Sequence, residues 1–370
     1  MKTLTTIARI LVGALFIFSG FIKANDSVGF SYKLIEYFEV FHTPIFIPIA
    51  LPLAILMCIL EVILGAALLL GARVKTTLWS ILLLMVFFTF LTFYSAYFQK
   101  VTGCGCFGDA IPLTPWQSFT KDIILMVLII ILFIGKKHIH SLFGKNLENG
   151  LLIIVIIASI VFPLYTFYYM PVIDFRPYAI GKNIPEQRKG IPDELKFYYK
   201  LKDKKTGEVK EFEKFPENYD QFYDYIDSRQ VVTKKGVEPK VKDFSITSLN
   251  GGDYTEDIIE NPDYNFLLIC HDLEKTDKGA FDKINDFAAL CQQKGIPIIA
   301  LTSSSPEIIR NFKAEVNSNI EFYNSDDVVL KTMIRSNPGL MLLKGGTVIN
   351  MWHYHSLPTF AGLNEKYFKN

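Results

Sequence analysis

One apolar stretch decides the class of this protein. Residues Ile45–Gly71 read IFIPIALPLAILMCILEVILGAALLLG, and their only ionisable side chains are Glu61 and Cys58. A helix needs about 20 mostly apolar residues to cross about 30 Å of hydrocarbon, where every backbone group must be paired internally. The stretch therefore predicts a membrane-spanning helix. Similar segments on both sides bring the predicted spans to Leu4–Ile22, Ile45–Gly71, Thr76–Phe98, Pro115–Gly135 and Leu151–Met170.

The composition of the whole chain is an average of two unlike halves. The 370 residues have a mean hydropathy of +0.27, and 50% are hydrophobic while only 20% are charged. Nearly all the long apolar runs precede Met170, and most charged residues follow it. These values exclude a disordered, collagen-like or disulfide-dense chain. A net charge of +1 provides no overall field for nucleic acid, so we expect no nucleic-acid partner.

The first span has an alternative interpretation as a cleaved signal peptide. It is interrupted only by Arg9, and no small-residue cleavage site follows it, which favours a retained helix. Between the first two spans, apolar side chains recur at helical spacing, namely Phe30, Leu34, Phe38 and Phe41. This spacing predicts a short amphipathic helix over Gly29–Phe41, either on the outer membrane surface or packed on the bundle.

The fourth span begins with a helix-start signal. Thr114 is a suitable N-cap, Pro115 occupies the first helical position, and Gln117 stands three residues after the cap. Trp116 then falls where aromatic side chains collect at a membrane interface. The fourth helix is therefore expected to begin at Pro115.

Basic residues in the short loops predict the orientation in the membrane. One side would carry Lys2, Arg9, Arg73, Lys75, Lys136, Lys137 and Lys145, and the other Lys23, Lys33, Lys100 and Lys121. The more basic side should be cytoplasmic. We therefore expect a bacterial inner-membrane protein with a cytoplasmic N-terminus and with everything after Met170 in the periplasm.

Cys104 and Cys106 are the most distinctive candidate site. They stand on either side of Gly105, after the third span and on the predicted outer side. Two thiols this close in an oxidising compartment suggest a disulfide or a thiol relay, and glycine gives the backbone the freedom that a small ring needs. Metal binding and a simple turn without a redox role are alternatives that the residues leave open.

Lys121, Asp122 and Glu61 fall inside predicted spans, where ionisable groups are usually paired and face the bundle or water. Lys121 and Asp122 lie in the second turn of the fourth helix. Asp122 can exchange a proton during thiol chemistry, with Lys121 as its counter-ion or as a thiolate stabiliser; snorkelling of Lys121 is the alternative. Glu61 is deep in the second span and is expected to contact Lys23, a lipid head group or a neighbouring helix. Cys58 is too far from the outer edge for thiol exchange and is expected to be a buried apolar residue.

Residues 1–140 resemble the DoxX/MauE group of four-helix membrane proteins. The resemblance is carried by Arg9–Gly13, Ser19–Lys23, Glu61 with Gly65, Leu68–Gly71, Cys104–Gly108, Trp116 and Lys121-Asp122. The Cys-Gly-Cys-Phe-Gly loop favours the MauE side. That family is linked to maturation of periplasmic proteins through disulfide handling, and the wider group to quinone or sulfur redox chemistry. The resemblance therefore implies a redox role and makes a quinone a candidate cofactor.

After Met170 the sequence is of a mixed, soluble type. Residues 171–242 are expected to form a linker subdomain with a hairpin of Phe197–Leu201 and Glu208–Phe212. From Asp243 onwards strands and helices alternate. The predicted strands are Phe244–Ser248, Phe266–His271, Pro297–Thr302, Glu321–Tyr323, Gly339–Lys344 and Thr347–Trp352. Helices are predicted at Lys278–Lys294, from Ser305 and at Asp327–Arg335. This order is typical of a thioredoxin-like fold.

Within 243–358 the sequence resembles thioredoxin-like proteins of the TlpA and peroxiredoxin groups. The resemblance is clearest at Ser336–Gly339, Gly345-Gly346 and Trp352. It implies that Pro338 follows a cis peptide bond and faces the active site.

The same resemblance places a redox pair just after Phe266–His271, but Asp272–Gly279 reads DLEKTDKG and contains no cysteine. Cys270 and Cys291 fall on core positions. We therefore expect a redox-inactive domain that either binds an extended peptide near Pro338 or docks on the membrane bundle.

The expected architecture is a multi-domain membrane protein. It comprises an all-α bundle of four DoxX/MauE-like helices (1–140), a fifth span (141–170), the linker subdomain (171–242) and an α/β thioredoxin-like domain (243–370). The favoured function is extracytoplasmic thiol–disulfide or quinone-linked redox chemistry through Cys104 and Cys106. The alternative is a non-enzymatic membrane anchor or envelope-complex subunit. Membrane lipid and an extracytoplasmic protein are the expected partners; a transporter is disfavoured because no inverted repeat of broken helices is visible.

Overall fold

The computed structural model describes residues 1–101, 105 and 107–368, and its first half is a bundle of long helices. Five of the described helices are long and apolar enough to cross a membrane. They are α1 (Lys2–Asn25), α3 (Ala50–Leu70, extended at its start by the 3₁₀ helix Pro44–Ile49), α4 (Val74–Phe98), α5 (Pro115–Ile134) and α6 (Lys145–Tyr168). The five predicted spans are confirmed, although the fifth helix begins before Leu151.

Helices α1 and α3 pack closely because glycines line their contact. A side-chain carbon on Gly65 would lie 2.7 Å from the carbonyl oxygen of Gly13, and one on Gly20 would lie 3.0 Å from that of Cys58. Small residues let membrane helices approach in this way. At the other end of the contact, Arg9 donates from Nε to the Leu68 carbonyl at 2.9 Å. The arginine that interrupts the first span therefore caps the last turn of α3.

The short helix predicted between the first two spans is α2 (Ser27–Val40). Phe30 and Leu34 are buried in a cluster with Cys58 of α3. The Tyr37 hydroxyl lies 2.7 Å from the hydroxyl of Ser95 on α4. This helix is therefore packed on the bundle, which is one of the two placements expected from the sequence.

Helix α5 begins with a complete capping box. The hydroxyl of Thr114 accepts from the backbone N–H of Gln117, and the Gln117 side chain accepts from the backbone N–H of Thr114. Pro115 occupies the first helical position. The expected start of the fourth span is thus present, since both orphan N–H groups find partners.

The second half contains a six-stranded sheet with helices on its faces. Its strand order is β4-β7-β6-β5-β8-β9, with β5, β6 and β7 parallel and β8 and β9 antiparallel to their neighbours. The strands are β4 (Thr247–Ser248), β5 (Tyr264–Ile269), β6 (Ile298–Thr302), β7 (Glu321–Asn324), β8 (Gly339–Lys344) and β9 (Thr347–His353). The helices are α7 (Ile184–Arg188), α9 (Thr255–Ile259), α10 (Phe281–Gln293), α11 (Pro306–Glu315), α12 (Asp327–Met333) and α13 (Phe360–Leu363). This is the expected thioredoxin-like arrangement.

The sheet is buried on both faces, which divides its core into two layers. On one face α10 and α11 cover Phe266, Leu268 and Leu342. On the other face, α12 and α9 pack together with Tyr178 and Ile184. The core therefore includes residues well before Asp243, because the residues around α7 complete the second layer. The boundary expected at Asp243 stays a prediction.

A second, smaller sheet projects between α7 and β4. It has the order β2-β1-β3, with β1 (Glu194–Asp203), β2 (Val209–Phe212) and β3 (Tyr223–Lys234), and the four-residue helix α8 (Tyr219–Phe222) precedes β3. The hairpin of β1 and β2 was expected from the sequence. The third strand was not, because its residues do not alternate strictly between polar and apolar.

Candidate functional site

A buried ion pair joins the two most tightly packed helices of the bundle. Lys23 Nζ of α1 lies 2.6 Å from Glu61 Oε1 of α3, and both side chains are 3% exposed. Lys23 also lies over two aromatic rings, 4.8 Å from the centroid of Phe88 and 5.3 Å from that of Phe30. The close approach of α1 and α3 at Gly20 brings the side chains of Lys23 and Glu61 together. Of the partners considered for Glu61, the structure provides Lys23.

A second ion pair lies at the start of α5. Lys121 Nζ is 2.7 Å from Asp122 Oδ1, and the Asp122 side chain is 1% exposed. The hydroxyl of Thr92 on α4 donates to Asp122 Oδ2 at 2.8 Å. The ammonium of Lys121 also lies 5.1 Å from the centre of the Phe107 ring. Lys121 therefore has the position of a counter-ion, with its side chain 22% exposed.

These two ion pairs line one small cavity, which we call the inner pocket. Its polar lining consists of Ser19, Lys23, Glu61, Lys121 and Asp122, and apolar residues of α1, α4 and α5 together with Phe107 complete it. Its volume is about 20 Å³. A cavity of about 10–15 Å³ or more holds one water molecule, so the inner pocket fits a single water. The four ionisable residues chosen from the sequence in two separate pairs thus form one cluster.

The loop with the two candidate cysteines is described in part. Cys104 and Cys106 lie outside the described residues. Gly105 is described, and a side-chain carbon there would lie 3.4 Å from Cγ of Lys33 on α2. Phe107 is buried and packs 5.5 Å from the ring centroid of Phe18. The described part of the loop is therefore held between α2 and the top of the inner pocket.

Above the loop lies a large space, the interdomain cavity, of about 770 Å³. Its wall is formed by the end of α1, by α2, by Gly105 and residues 107–109 and 111–113, by residues 171–176 and by α12. Each cation in this wall is paired with a carboxylate, in the pairs Lys23–Glu61, Lys33–Glu36, Arg176–Asp174, Lys331–Asp327 and Arg335–Asp26. Among the described residues, the wall therefore holds no free positive cluster, which does not favour an anionic ligand.

The C-terminal domain is fixed to the membrane bundle by Arg335. Its Nε donates to both carboxylate oxygens of Asp26 at 3.0 Å, and its Nη2 lies 2.9 Å from Oδ2. Asp26 also accepts from the backbone N–H of Gly29 at 2.8 Å and so caps α2. Burial alone would raise the pKa of Asp26, but the Arg335 guanidinium outweighs it and holds this pKa below its ordinary value. The charged pair is thus the stable state of this contact.

Tyr32 of α2 also belongs to this contact. The guanidinium of Arg335 lies 5.7 Å from its ring centroid and the ammonium of Lys331 lies 5.3 Å from it, while His271 approaches edge-on at 6.5 Å. Burial raises the pKa of Tyr32 to about 12, so it stays neutral. Burial also lowers the pKa of His271 to about 4, so this ring packs as a neutral group.

The segment around Pro338 is closed by its own domain. The Asn337–Pro338 peptide bond is cis, as expected. The Asn337 carbonyl accepts from the backbone N–H of Asp277 at 3.1 Å, and its side-chain amide donates to the Asp272 carbonyl at 2.9 Å. Thr276 donates its hydroxyl to the Asn337 side chain at 2.9 Å. Of the two roles expected for this domain, the contacts show docking on the bundle, while the backbone carbonyl beside Pro338 is already occupied.

The three described cysteines are buried. Cys58, Cys270 and Cys291 are each 0% exposed and are free thiols. Burial raises the pKa of Cys270 far above its ordinary range and that of Cys291 to about 12. Because the thiolate is the reactive form, neither of these two is suited to exchange.

Comparison with known proteins bears on the membrane half. Residues 1–135 match the family model of methylamine utilisation protein MauE. We call residues 1–135 the MauE-type region, after the family model that they match. Among solved structures, the bacterioferritin comigratory protein of Xanthomonas campestris, studied for its alkyl peroxide reduction activity, is 14% identical with a TM-score of 0.24. That match covers 33% of this chain and 85% of the other. No curated protein matches the chain.

Several site residues of the MauE-type region were not foreseen from the sequence. Asp26 was not selected, although Asn25-Asp26-Ser27 before an amphipathic helix is a recognisable N-cap signal. Phe107 was noted only as part of the Cys-Gly-Cys-Phe-Gly motif. Thr92 and Tyr32 have no local signal that separates them from the other polar and aromatic side chains of their helices. Their roles depend on partners from distant parts of the chain.

Proposed function

We propose that this protein is a bacterial inner-membrane thiol–disulfide exchange protein, with Cys104 and Cys106 acting on protein substrates at the periplasmic face. The observation that carries the proposal is the position of Gly105. This residue separates the two cysteines in the sequence and lines the interdomain cavity, next to Phe107 and the inner pocket. The match of residues 1–135 to the MauE family supports the same role.

The proposed reaction is a thiol–disulfide exchange between the loop cysteines and the substrate. A substrate disulfide is attacked by the thiolate of Cys104 or Cys106, and one substrate thiolate leaves. The other cysteine then displaces the second substrate sulfur, so the substrate ends as a dithiol and the loop as a disulfide. The reverse sequence oxidises a substrate dithiol. Asp122 would accept and return the proton of the attacking thiol, with Lys121 holding its charge.

The substrate is proposed to be a polypeptide segment in the interdomain cavity. The volume of about 770 Å³ is large enough for several residues, and the wall presents both cations and carboxylates to a bound chain. A quinone is a poorer fit for the residues of the inner pocket, since about 20 Å³ holds one water and not a substituted ring. We therefore assign no step to a quinone.

Thiol trapping in membranes tests the proposal. Cells or membrane vesicles are quenched in acid, and free thiols are labelled with a heavy maleimide before and after reduction. We expect Cys104 and Cys106 to gain two labels on reduction and to lose them again when a small disulfide is added. Cys58, Cys270 and Cys291 are internal controls, because these buried free thiols should add the same number of labels under every redox condition.

The matched variants are Cys104→Ser, Cys106→Ser and Cys58→Ala. Each single serine variant should trap a mixed disulfide with a substrate protein, whereas Cys58→Ala should cycle like the parent. The proposal is wrong if the loop cysteines take the same label under all redox conditions and the double serine variant still matures its substrates.

A binding role for the C-terminal domain is a second candidate. The absence of cysteine in Asp272–Gly279 and the occupied carbonyl of Asn337 support a domain without thiol chemistry of its own. It would shape one wall of the interdomain cavity through α12. Arg335→Ala, which loosens this wall, should then change substrate selection while leaving loop cycling with a small disulfide intact. Equal effects on both reactions would contradict this role.

A further inference from the structure

Two residues of the inner pocket each have a buried carboxylate oxygen without a hydrogen-bond partner. Glu61 is 2% exposed; its Oε1 is paired with Lys23, and its Oε2 has no partner among the described residues. Asp122 is 1% exposed; its Oδ2 accepts from Thr92, and in the described part of the chain its Oδ1 accepts no hydrogen bond. The ammonium of Lys121 lies 2.7 Å from this Oδ1 as an ion pair without hydrogen-bond geometry. Because an unpaired buried acceptor is unfavourable, both oxygens need a donor.

The two oxygens belong to two different helix pairs of the bundle. Glu61 of α3 is bonded to α1 through Lys23, and Asp122 of α5 is bonded to α4 through Thr92. Both carboxylates line the inner pocket, where α1, α3, α4 and α5 all contribute side chains. The inner pocket therefore lies where the α1–α3 pair meets the α4–α5 pair.

The size and charge of the inner pocket limit what it can bind. Its volume of about 20 Å³ exceeds the 10–15 Å³ or so that one water molecule needs, and it leaves no room for a larger molecule. Its two carboxylates are balanced by the ammonium groups of Lys23 and Lys121, so an added ion would place a net charge inside the bundle, where charge is costly. A single neutral water molecule satisfies both limits.

The pocket also supplies the partners that a buried water requires. A water molecule has two O–H groups, one for Glu61 Oε2 and one for Asp122 Oδ1. The ammonium of Lys23 has three N–H groups, of which one donates to Ser19 and one to Glu61 Oε1, so the third is left for the water oxygen. This makes three hydrogen bonds, the typical number for a buried water.

We propose that the inner pocket binds one structural water, which bridges Glu61 Oε2 and Asp122 Oδ1. The water converts the two ion pairs into one network that joins the α1–α3 pair to the α4–α5 pair. A bond made through an ordered water is nearly as favourable as a direct hydrogen bond, so the network couples the two helix pairs energetically. The site does not depend on the proposed thiol exchange.

A structure of the full-length parent protein in lipid nanodiscs, at a resolution that shows ordered water, tests the site directly. We expect a water peak at about 2.5–3.0 Å from both Glu61 Oε2 and Asp122 Oδ1. The proposal is overturned by a map that shows other buried waters but none here, by a peak that reaches only one of the two oxygens, or by direct contact between the two carboxyl groups. This measurement needs no variant, so it decides even where a variant does not fold.

Unfolding of paired variants measures the coupling that the water provides. Lys23→Met/Glu61→Met removes one ion pair, and Lys121→Met/Asp122→Leu removes the other, so that neither variant leaves a buried charge unpaired. If the water joins the pairs, removing both should change the unfolding equilibrium constant by about tenfold less than the product of the two separate changes. Additive effects, to within about twofold, would contradict the bridge.

A matched control separates this coupling from a general response to the loss of ion pairs. Lys33→Met/Glu36→Met removes a pair that lines the interdomain cavity and not the inner pocket. Its effect should add to that of either inner pair, because no water of the inner pocket reaches it. Coupling of the control pair as strong as that between the inner pairs would show that the coupling does not come from the inner pocket, and would overturn the proposal.

Discussion

Replacing Arg335 with alanine should release the C-terminal domain from the membrane bundle. The Arg335 side chain is 7% exposed and that of Asp26 is 22% exposed. Removing one partner of a buried ion pair costs about 3–5 kcal/mol, because a charge is left buried and unpaired. The partial exposure of Asp26 lets solvent screen some of this loss. We therefore expect docking to weaken by about 3 kcal/mol, which is about 100-fold in the docking equilibrium.

Hydrogen–deuterium exchange on the full-length protein in nanodiscs measures this effect. The amides of α12 and of the first turns of α2 lie at the contact and should exchange through undocking. In Arg335→Ala they should exchange about 100-fold faster than in the parent. Amides of the central strand β5, buried on both faces of its sheet, should be unchanged, because the fold of the domain itself does not depend on Arg335.

Three companion variants divide the effect into its parts. Asp26→Asn keeps an acceptor for the N–H of Gly29 and loses only the charge, whereas Asp26→Ala also loses the helix cap, a further cost of about 1 kcal/mol. Arg188→Ala breaks the more exposed pair with Glu256, and an exposed pair contributes at most about 1 kcal/mol.

A double-mutant cycle of Arg335→Ala and Asp26→Ala should give a coupling of about 2–3 kcal/mol. Exchange of α12 that stays within about threefold of the parent in Arg335→Ala, or a cycle with no coupling, would refute the reasoning, since a buried pair with three close N–H contacts could not then be what holds the domains.

Three further predictions concern packing, protonation and capping. Gly65→Ala places a carbon 2.7 Å from the Gly13 carbonyl and should destabilise the bundle by about 1–3 kcal/mol in detergent unfolding, while Gly150→Ala, which has open space, should not. Burial lowers the pKa values of His271 and His353 to about 4, so as the pH falls these histidines take up protons in the unfolded chain before they do so in the folded one. In denaturant unfolding, the free energy of unfolding should therefore fall between about pH 6.5 and 4, by about 3 kcal/mol for each histidine. His271→Gln should remove about half of that loss. Thr114→Ala should cost about 1 kcal/mol and speed amide exchange in the first turn of α5.

Much of the fold was predictable because its signals are local. An apolar run as long as Ile45–Gly71 has few alternatives to a membrane helix. The N-cap at Thr114 and the glycine turn at Gly345 also carry their meaning within a few residues. Boundaries were less secure, as shown by α6, whose first turn is polar and was not counted as part of the span.

What escaped prediction depends on partners that are distant in the sequence. Asp26 and Arg335 are 309 residues apart, and neither is unusual in its own neighbourhood. Tyr178 reads as part of a linker, yet it is 2% exposed in the core of the C-terminal domain. Periodicity reports which face of an element is apolar, and it does not report which other element covers that face.

The contacts of Arg335 and Asn337 bear on where the proposed thiol exchange would take place in this chain. A substrate that paired with the Asn337 carbonyl beside Pro338 would have to displace the bond from the backbone N–H of Asp277. The interdomain cavity offers a route without this loss, and Gly105 lines it. If the proposed exchange takes place, we therefore expect it in the MauE-type region. Variants of the C-terminal domain should accordingly change which substrates reach the loop, and leave the exchange step itself unchanged.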